Sequence, residues 1–335
     1  MSRVPPRDSF RHSVLRDAVL SNSTQRSYNN SLHNFLQFAQ LSERDFIQLA
    51  AVTMDDLLVS YIEQLHRQGG SFHTAVHALN GIVFQRQDLK SMLSESHLCL
   101  RGWGKLRKCR SHPPLTWELS VLIAVTMSQS GFHASAIALL LSFCCFLRVG
   151  EMTRLTRSDV VMPNDPRLGS GHRTMALRLA VTKTGLEQWV TIDDPAVAVV
   201  LQLWMTATRI NSQPTDRVFN ISAMRFRKLI HTVTDVLGIG HIPFVPHSLR
   251  HGGATRAHLR GESIENIMHR GRWKSLESAR RYIQSGGALL TTQSIPKRLN
   301  QLGLFFDSEL ANTFSHLMAT VPIVSSEQPR RVHNK

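Results

Sequence analysis

Cysteine is scarce in this 335-residue chain, and the four present are badly placed for metal or disulfide chemistry. Cys99, Cys109, Cys144 and Cys145 make no ligand spacing, and the adjacent pair cannot close an ordinary disulfide on itself. The expectation is a reduced, intracellular protein: cytoplasmic or nucleoid-associated in a prokaryote or phage, nuclear in a eukaryote. Long hydrophobic runs are lacking too. The most apolar stretch, Ala134 to Leu147 (ASAIALLLSFCCFL), is shorter than the ~20 residues that span a bilayer and ends directly in Arg148. It fits a buried helix, so no membrane partner is expected. The N-terminus, MSRVPPRDSFRHSVLRD, is positive but has no apolar core of signal-peptide length, and its Pro pair argues against a transit helix. Internal repeats and low-complexity tracts are absent. Acidic residues are few: 24 Asp+Glu against 39 Lys+Arg leave a charge of +15 with neutral histidines. Such a balance favours a polyanionic partner, nucleic acid first, although ribosomal and membrane-surface proteins share it.

What the chain has is 42% hydrophobic and 19% charged residues, enough at this length for two globular domains with real cores. Residues 1–20 are basic and poorly patterned, which predicts a flexible arm. Over 21–100 the pattern is helical. STQRSYNNSLHNFLQFAQL, behind Ser23 or Thr24 as N-cap, places its apolar residues mostly on one face. MDDLLVSYIEQLHRQG has Asp55 and Asp56 near its start and Gly69-Gly70 to stop it, and a third helix begins at Ser71. Residues 101–114 (RGWGKLRKCRSHPP) read as a basic linker whose Arg101, Lys105, Arg107, Lys108 and Arg110 suit phosphate contact.

A second domain spans 115–292. Thr116 caps a helix, the apolar run follows, and RTMALRLAVTKT with LEQWVTID alternates as a β-hairpin with Lys183 at its turn. Helices resume at Pro195, and Gly286-Gly287 and Pro296 interrupt them. Residues 293–325 hold a linker and one more amphipathic helix carrying Leu310, Phe314, Leu317 and Met318. A disordered tail is expected over 326–335. The fold class is mainly α with a small β-sheet, α+β.

Arg148, Glu151, Lys183, His247, Arg250, Trp273 and Tyr282 supply a candidate for each role in a phosphoryl transfer that needs neither metal nor ATP. A phosphoryl transition state carries charge on its non-bridging oxygens, and guanidinium forks satisfy it bidentately at any physiological pH. Arg148 and Arg250 are therefore the candidate clamps. An unpaired cation straight after the apolar run would be costly, and Glu151, about one turn on, is placed to hold Arg148 or a neighbouring group. His247 and His251 are four apart, which on a helix invites a metal reading, but Arg250 lies between them and no third ligand stands nearby. Tyr282 is one of only three tyrosines. Its phenol is a poor nucleophile at its free pKa near ~10 and needs cations and a base around it.

Leu147-Arg148-Val149-Gly150-Glu151, Lys183-Thr184-Gly185, His247-Ser248-Leu249-Arg250-His251 with Gly252-Gly253-Ala254-Thr255, and Gly271-Arg272-Trp273 before Arg281-Tyr282-Ile283 together resemble the tyrosine recombinase/integrase family, of the simple Cre-like type. The resemblance covers about 115–285 through its motifs and, more loosely, about 20–100. It implies a helical core-binding domain and a catalytic domain that clamp DNA between them. Tyr282 would attack to give a 3′-phosphotyrosyl bond and a free 5′-OH. Lys183 would act as general acid at the leaving oxygen, and His247 would bond the phosphate and accept the tyrosine proton. Trp273 stands where many relatives have a second histidine; its N–H can donate to phosphate but cannot shuttle a proton. The segment HRGRWKS departs from the more common leucine-glycine-histidine block, which puts the fit of Trp273 in question. Arg280 and Arg281 are further DNA-contact candidates, and His251 is expected to be structural. No cofactor is implied. The partners implied are double-stranded DNA with paired inverted-repeat sites, and three further copies of the chain in a synaptic tetramer joined by the C-terminal helix. Docking of that helix within its own protomer is the alternative. Strand exchange through a Holliday junction is the activity implied. A type IB topoisomerase-like activity and a sequence-specific DNA-binding protein whose chemistry has lapsed are the rivals.

Overall fold

Two compact units divide the chain between Arg110 and Ser111. The structure, a computed structural model, describes residues 18–107, 112–165, 167, 174–182, 185–209 and 212–319. The expected N-terminal arm through residue 17, Lys108, Arg110, the hairpin residue Lys183 and the C-terminal tail lie outside the described residues.

The first unit is helical: α1 (Asn22–Ala39), α2 (Glu43–Gln48), α3 (Ala51–Arg67), α4 (Phe72–Gln85) and α5 (Ser94–Leu106). Phe35, Met54, Leu58, Ile62, Ala78 and Ile82 meet at its centre. Ser21, not Ser23 or Thr24, caps α1 by accepting from Thr24 N at 3.3 Å. Asp55 lies one turn inside α3 rather than at its start. Its carboxylate instead accepts from Glu95 N and Ser96 N at 3.0 and 2.9 Å, capping α5, which has no cap of its own. Arg101–Leu106, expected in a linker, form the last turns of α5. Apolar contact extends the helix that far: Trp103 packs edge-on against His66 and Phe72.

The second unit is built around α6 (Trp117–Gln129) and α7 (His133–Cys144), both apolar nearly all round and both enclosed. A short α8 (Val149–Met152) leads into a three-stranded antiparallel sheet of β1 (Val160–Val161), β2 (Ala176–Thr182) and β3 (Gly185–Thr191), ordered β1-β2-β3. Thr182 pairs with Gly185, so β2 and β3 form the expected hairpin, and Met175, Leu177 and Leu179 turn one face into the core. Then follow α9 (Pro195–Ala207), α10 (Ala223–Val236), α11 (Pro246–Leu259), α12 (Ile264–Gly271), α13 (Leu276–Arg280), α14 (Ser285–Ser294), α15 (Lys297–Ser308) and α16 (Leu310–Ala319).

Two expectations for the C-terminal part are corrected. Gly286 and Gly287 do not interrupt a helix but lie in the first turn of α14, and α15 is a further helix in the stretch expected to be a linker. The packing explains it: α15 lies on α6, with Gly303 against the Glu118 backbone and Asp307 accepting from Trp117 Nε1 at 2.7 Å. Leu310 and Phe314 are buried in the core of their own chain, where α16 packs on α9 and α6. Among the described residues, no helix is long and apolar enough to cross a membrane.

Candidate active site

The buried helix α7 ends in a Schellman turn. Leu147 N donates to Ser142 O at 3.0 Å and Phe146 N to Phe143 O at 3.4 Å, with Phe146 in the left-handed region at φ 49°. The carbonyls left over at this negative helix end lie inside the protein and need donors. Arginines supply them. Arg270 Nη2 donates to Cys144 O at 2.8 Å, Arg272 Nη1 to Cys145 O at 3.3 Å, and the Phe146 carbonyl receives both Arg272 Nη2, at 2.9 Å, and Arg250 Nη1. The chain emerging from this turn carries Arg148 and then Glu151 on α8.

Glu151 is a buried junction. Its Oε1 accepts from Arg148 Nη1 at 2.6 Å, and its Oε2 accepts from Arg148 N and Arg272 Nη2, both at 2.9 Å. Burial alone would raise the carboxyl pKa. The Arg272 guanidinium, the Arg148 N–H and the Arg148 side chain outweigh that and hold it below the ordinary carboxylate value.

Helix α11 brings His247, Arg250 and His251 to one face by their three- and four-residue spacing. It can lie flush on α7 because Gly253 meets the Phe143 carbonyl and the Phe146 ring, where a Cβ would clash, while Gly252 faces the Leu115 carbonyl. Arg250 is fully buried. Beyond its bond to Phe146 O it donates through Nη2 to Gly271 O, and its guanidinium carbon lies 4.4 Å from the Trp273 ring centroid and 5.2 Å from that of Tyr282. Burial, then the nearby guanidiniums of Arg148 and Arg272, push its pKa down. The buried Arg250 Nε and Trp273 Nε1 have no acceptor among the described residues.

Tyr282 is not on a helix, as expected, but in the turn after α13. Its carbonyl lies 3.3 Å from both His251 Nδ1 and Thr255 Oγ1, so α11 holds the tyrosine segment by its backbone. The Tyr282 ring stacks on His251 at 4.8 Å and meets Trp273 at 4.6 Å and His247 at 5.1 Å. His247 is exposed, although its ring packs against those of His251 and Tyr282. Burial, followed by the charges of His251 and Arg250, pulls its pKa down to about 4. At neutral pH His247 is therefore an uncharged proton acceptor.

Six of the seven predicted site residues thus gather around the end of α7, and the seventh, Lys183, lies outside the described residues. Of the DNA-contact candidates, Arg101 and Lys105 share an exposed face of α5, and Arg107 lies 4.5 Å over the Phe72 ring. Arg280 and Arg281 are exposed at the end of α13, where Arg281 pairs with Glu277 at 2.5 Å. Sequence reasoning missed Arg272, whose only signal was its departure from the common block. A cleft of about 290 Å³ beside Glu151, lined by Arg154, Arg178 and Arg217 together with Asp159, was missed as well.

A mostly helical unit with one small antiparallel sheet, presenting arginine, histidine, tryptophan and tyrosine around one helix end, has the fold of a tyrosine recombinase catalytic domain. Residues 118–287, half of the chain, match the model of the phage integrase family, and the chain belongs to that family. Its fold is similar to that of XerH site-specific recombinase bound to a palindromic difH substrate in a post-cleavage complex. The TM-score there is 0.51 at 15% identity, covering 85% of this chain and 79% of the other. It is also similar to the Tn1549 transposon integrase in complex with transposon right end DNA, with TM-score 0.53 at 10% identity, covering 81% and 92%. Among curated protein sequences none matches.

Proposed function

We propose that this recombinase-family protein cleaves and rejoins DNA strands at specific sites through a 3′-phosphotyrosyl intermediate and exchanges them through a Holliday junction. Tyr282 Oη attacks the scissile phosphorus, the bond to the 5′ oxygen breaks, and Lys183 supplies the proton that oxygen takes. The uncharged His247 accepts the phenol proton. Arg148 and Arg250 hold the non-bridging oxygens, with the Trp273 indole N–H as a further donor. The phosphodiester energy is kept in the tyrosyl bond, so rejoining needs neither ATP nor metal.

The observation that carries this reading is the meeting of Tyr282 with Arg250, Trp273 and His247 around two buried N–H donors that have no acceptor among the described residues. Buried donors are nearly always satisfied, and a phosphate oxygen is the acceptor this chemistry brings. The Tyr282 ring covers one face of Arg250, so engagement of phosphate includes a swing of that ring toward the scissile bond. Double-stranded DNA as partner follows from the family and the net charge of +15. The first unit serves as the core-binding domain, with Arg101 and Lys105 on its phosphate-facing side. Paired inverted-repeat sites and a tetramer complete the assembly.

The test is a plasmid carrying two copies of a site selected by the protein from a DNA library, incubated in EDTA. Exchange between the two copies, abolished by Tyr282→Phe, is the expected result. Relaxation of supercoils without exchange would assign a type IB topoisomerase-like activity, and tight binding without either would leave a lapsed DNA-binding descendant.

A further inference from the structure

Arg272 stands where a helix ordinarily ends in glycine. Its φ is 56°, and Arg272 N and Trp273 N close α12 onto His269 O and Met268 O at 3.0 and 3.1 Å, a second Schellman turn. That left-handed position is strained for any residue with a side chain and free for glycine. Closing the helix therefore does not require an arginine, and the reason for one lies in its side chain.

That side chain is 3% exposed, too deep to touch DNA, and its hydrogen bonds run inward. Nη2 donates to Glu151 Oε2 and to Phe146 O, both at 2.9 Å, while Nη1 donates to Arg270 O at 2.8 Å and Cys145 O at 3.3 Å. The two acceptors of Nη2 lead to the two phosphate clamps. Glu151 holds Arg148 through its other carboxylate oxygen, and the Phe146 carbonyl is shared with Arg250 Nη1. Arg148 and Arg250 carry only donors and cannot hydrogen-bond each other, so their spacing is set through what both are anchored to. One guanidinium spans both anchors.

We propose that Arg272 is a positioning residue, fixing the spacing of the Arg148 and Arg250 guanidiniums for one phosphate. The inference rests on the transesterification reading above. A planar fork is needed because four acceptors in different directions are met at once. A lysine could pair with Glu151 but could not also reach Phe146 O and Cys145 O.

The test uses full-length protein and a nicked duplex captured covalently by the wild type from a randomised library. The duplex is made with either a normal scissile phosphodiester or a methylphosphonate, which lacks the negative charge that the two clamps hold. Arg272→Gly and Arg272→Lys should bind both duplexes within about twofold of wild type. On the phosphodiester they should form adduct slower by a factor on the order of 100, as misplaced catalytic groups do. On the methylphosphonate the deficit should shrink to less than about tenfold, because less charge must be held. If Arg272→Gly does not fold, Arg272→Lys, which keeps a cation beside Glu151, carries the comparison. Wild-type adduct rates in the variants would overturn the inference, and so would a deficit equal on both duplexes, which general loss of structure gives. A wild type that captures no duplex would overturn the transesterification reading and this inference with it.

Discussion

The Arg250 guanidinium lies over the Trp273 indole, its carbon 4.4 Å from the ring centroid, and each partner keeps one buried N–H, Arg250 Nε and Trp273 Nε1, without an acceptor among the described residues. The stack turns one side chain from α11 and one from the segment between α12 and α13 into one donor surface. It also makes Arg250 a structural member of the fold, since its other nitrogens satisfy Phe146 O and Gly271 O.

Arginine-to-lysine changes should separate these duties. Arg148→Lys should lose cleavage by about 100-fold or more with little loss of stability, because an ammonium cannot reproduce the fork. Arg250→Lys should lose cleavage and also about 3 kcal/mol of stability, since buried carbonyls are left without donors. Urea unfolding beside single-turnover cleavage checks both. Wild-type turnover in either variant would remove that arginine from the site.

Glu151→Gln should destabilise the second unit by about 3–5 kcal/mol, because Arg148 and Arg272 lose the buried charge between them. The Glu151 pKa is lowered in the folded state, so its contribution is full above the unfolded carboxylate pKa and is lost as pH falls through the folded one. Acid unfolding of the variant should accordingly be shallower than that of wild type over that range. Parallel curves would mean the carboxylate is not held as described.

His247 titrates the other way round from a salt-bridged histidine. Its folded pKa, about 4, lies below the unfolded value, so the unfolded chain binds the proton first. Stability is full above about pH 6.5 and falls as pH drops toward 4. His251, lowered mainly by burial, adds to the same trend. Melting temperatures between pH 7.5 and pH 4.5, wild type against His247→Asn, should show a smaller acid drop in the variant. An NMR titration placing His247 near its ordinary pKa would contradict the packing around Tyr282.

Phe314→Ala should cost about 3–5 kcal/mol in dilute, monomeric protein, since the ring is buried in its own chain's core. An unchanged melting temperature at low concentration, with loss appearing only as the protein assembles, would favour exchange of α16 between protomers.

Much of the site was legible because its residues sit in local patterns. The run ending in Arg148, the four-residue spacing on α11 and the alternation on either side of Lys183 each announce an element and its chemistry. Glu151 was legible as a partner for Arg148, since it falls on the first turn after it. The rest depended on tertiary packing. Nothing local says that α7's last carbonyls are enclosed and must be met by arginines more than a hundred residues away. Nor does Gly286-Gly287 announce a helix: its glycines disfavour one intrinsically, and packing overrides them. Helix α15 was hidden by Pro296, which reads as a breaker but stands immediately before its first residue, where proline's missing N–H costs nothing.

The most direct measurement is the chemical identity of a covalent adduct. A nicked duplex selected by wild-type protein is incubated in EDTA, the SDS-resistant product is digested, and the DNA-linked peptide is sequenced by mass spectrometry. A 3′-phosphate ester on Tyr282, absent from Tyr282→Phe, is the predicted result. An adduct on another residue, or one that survives in Tyr282→Phe, would contradict it.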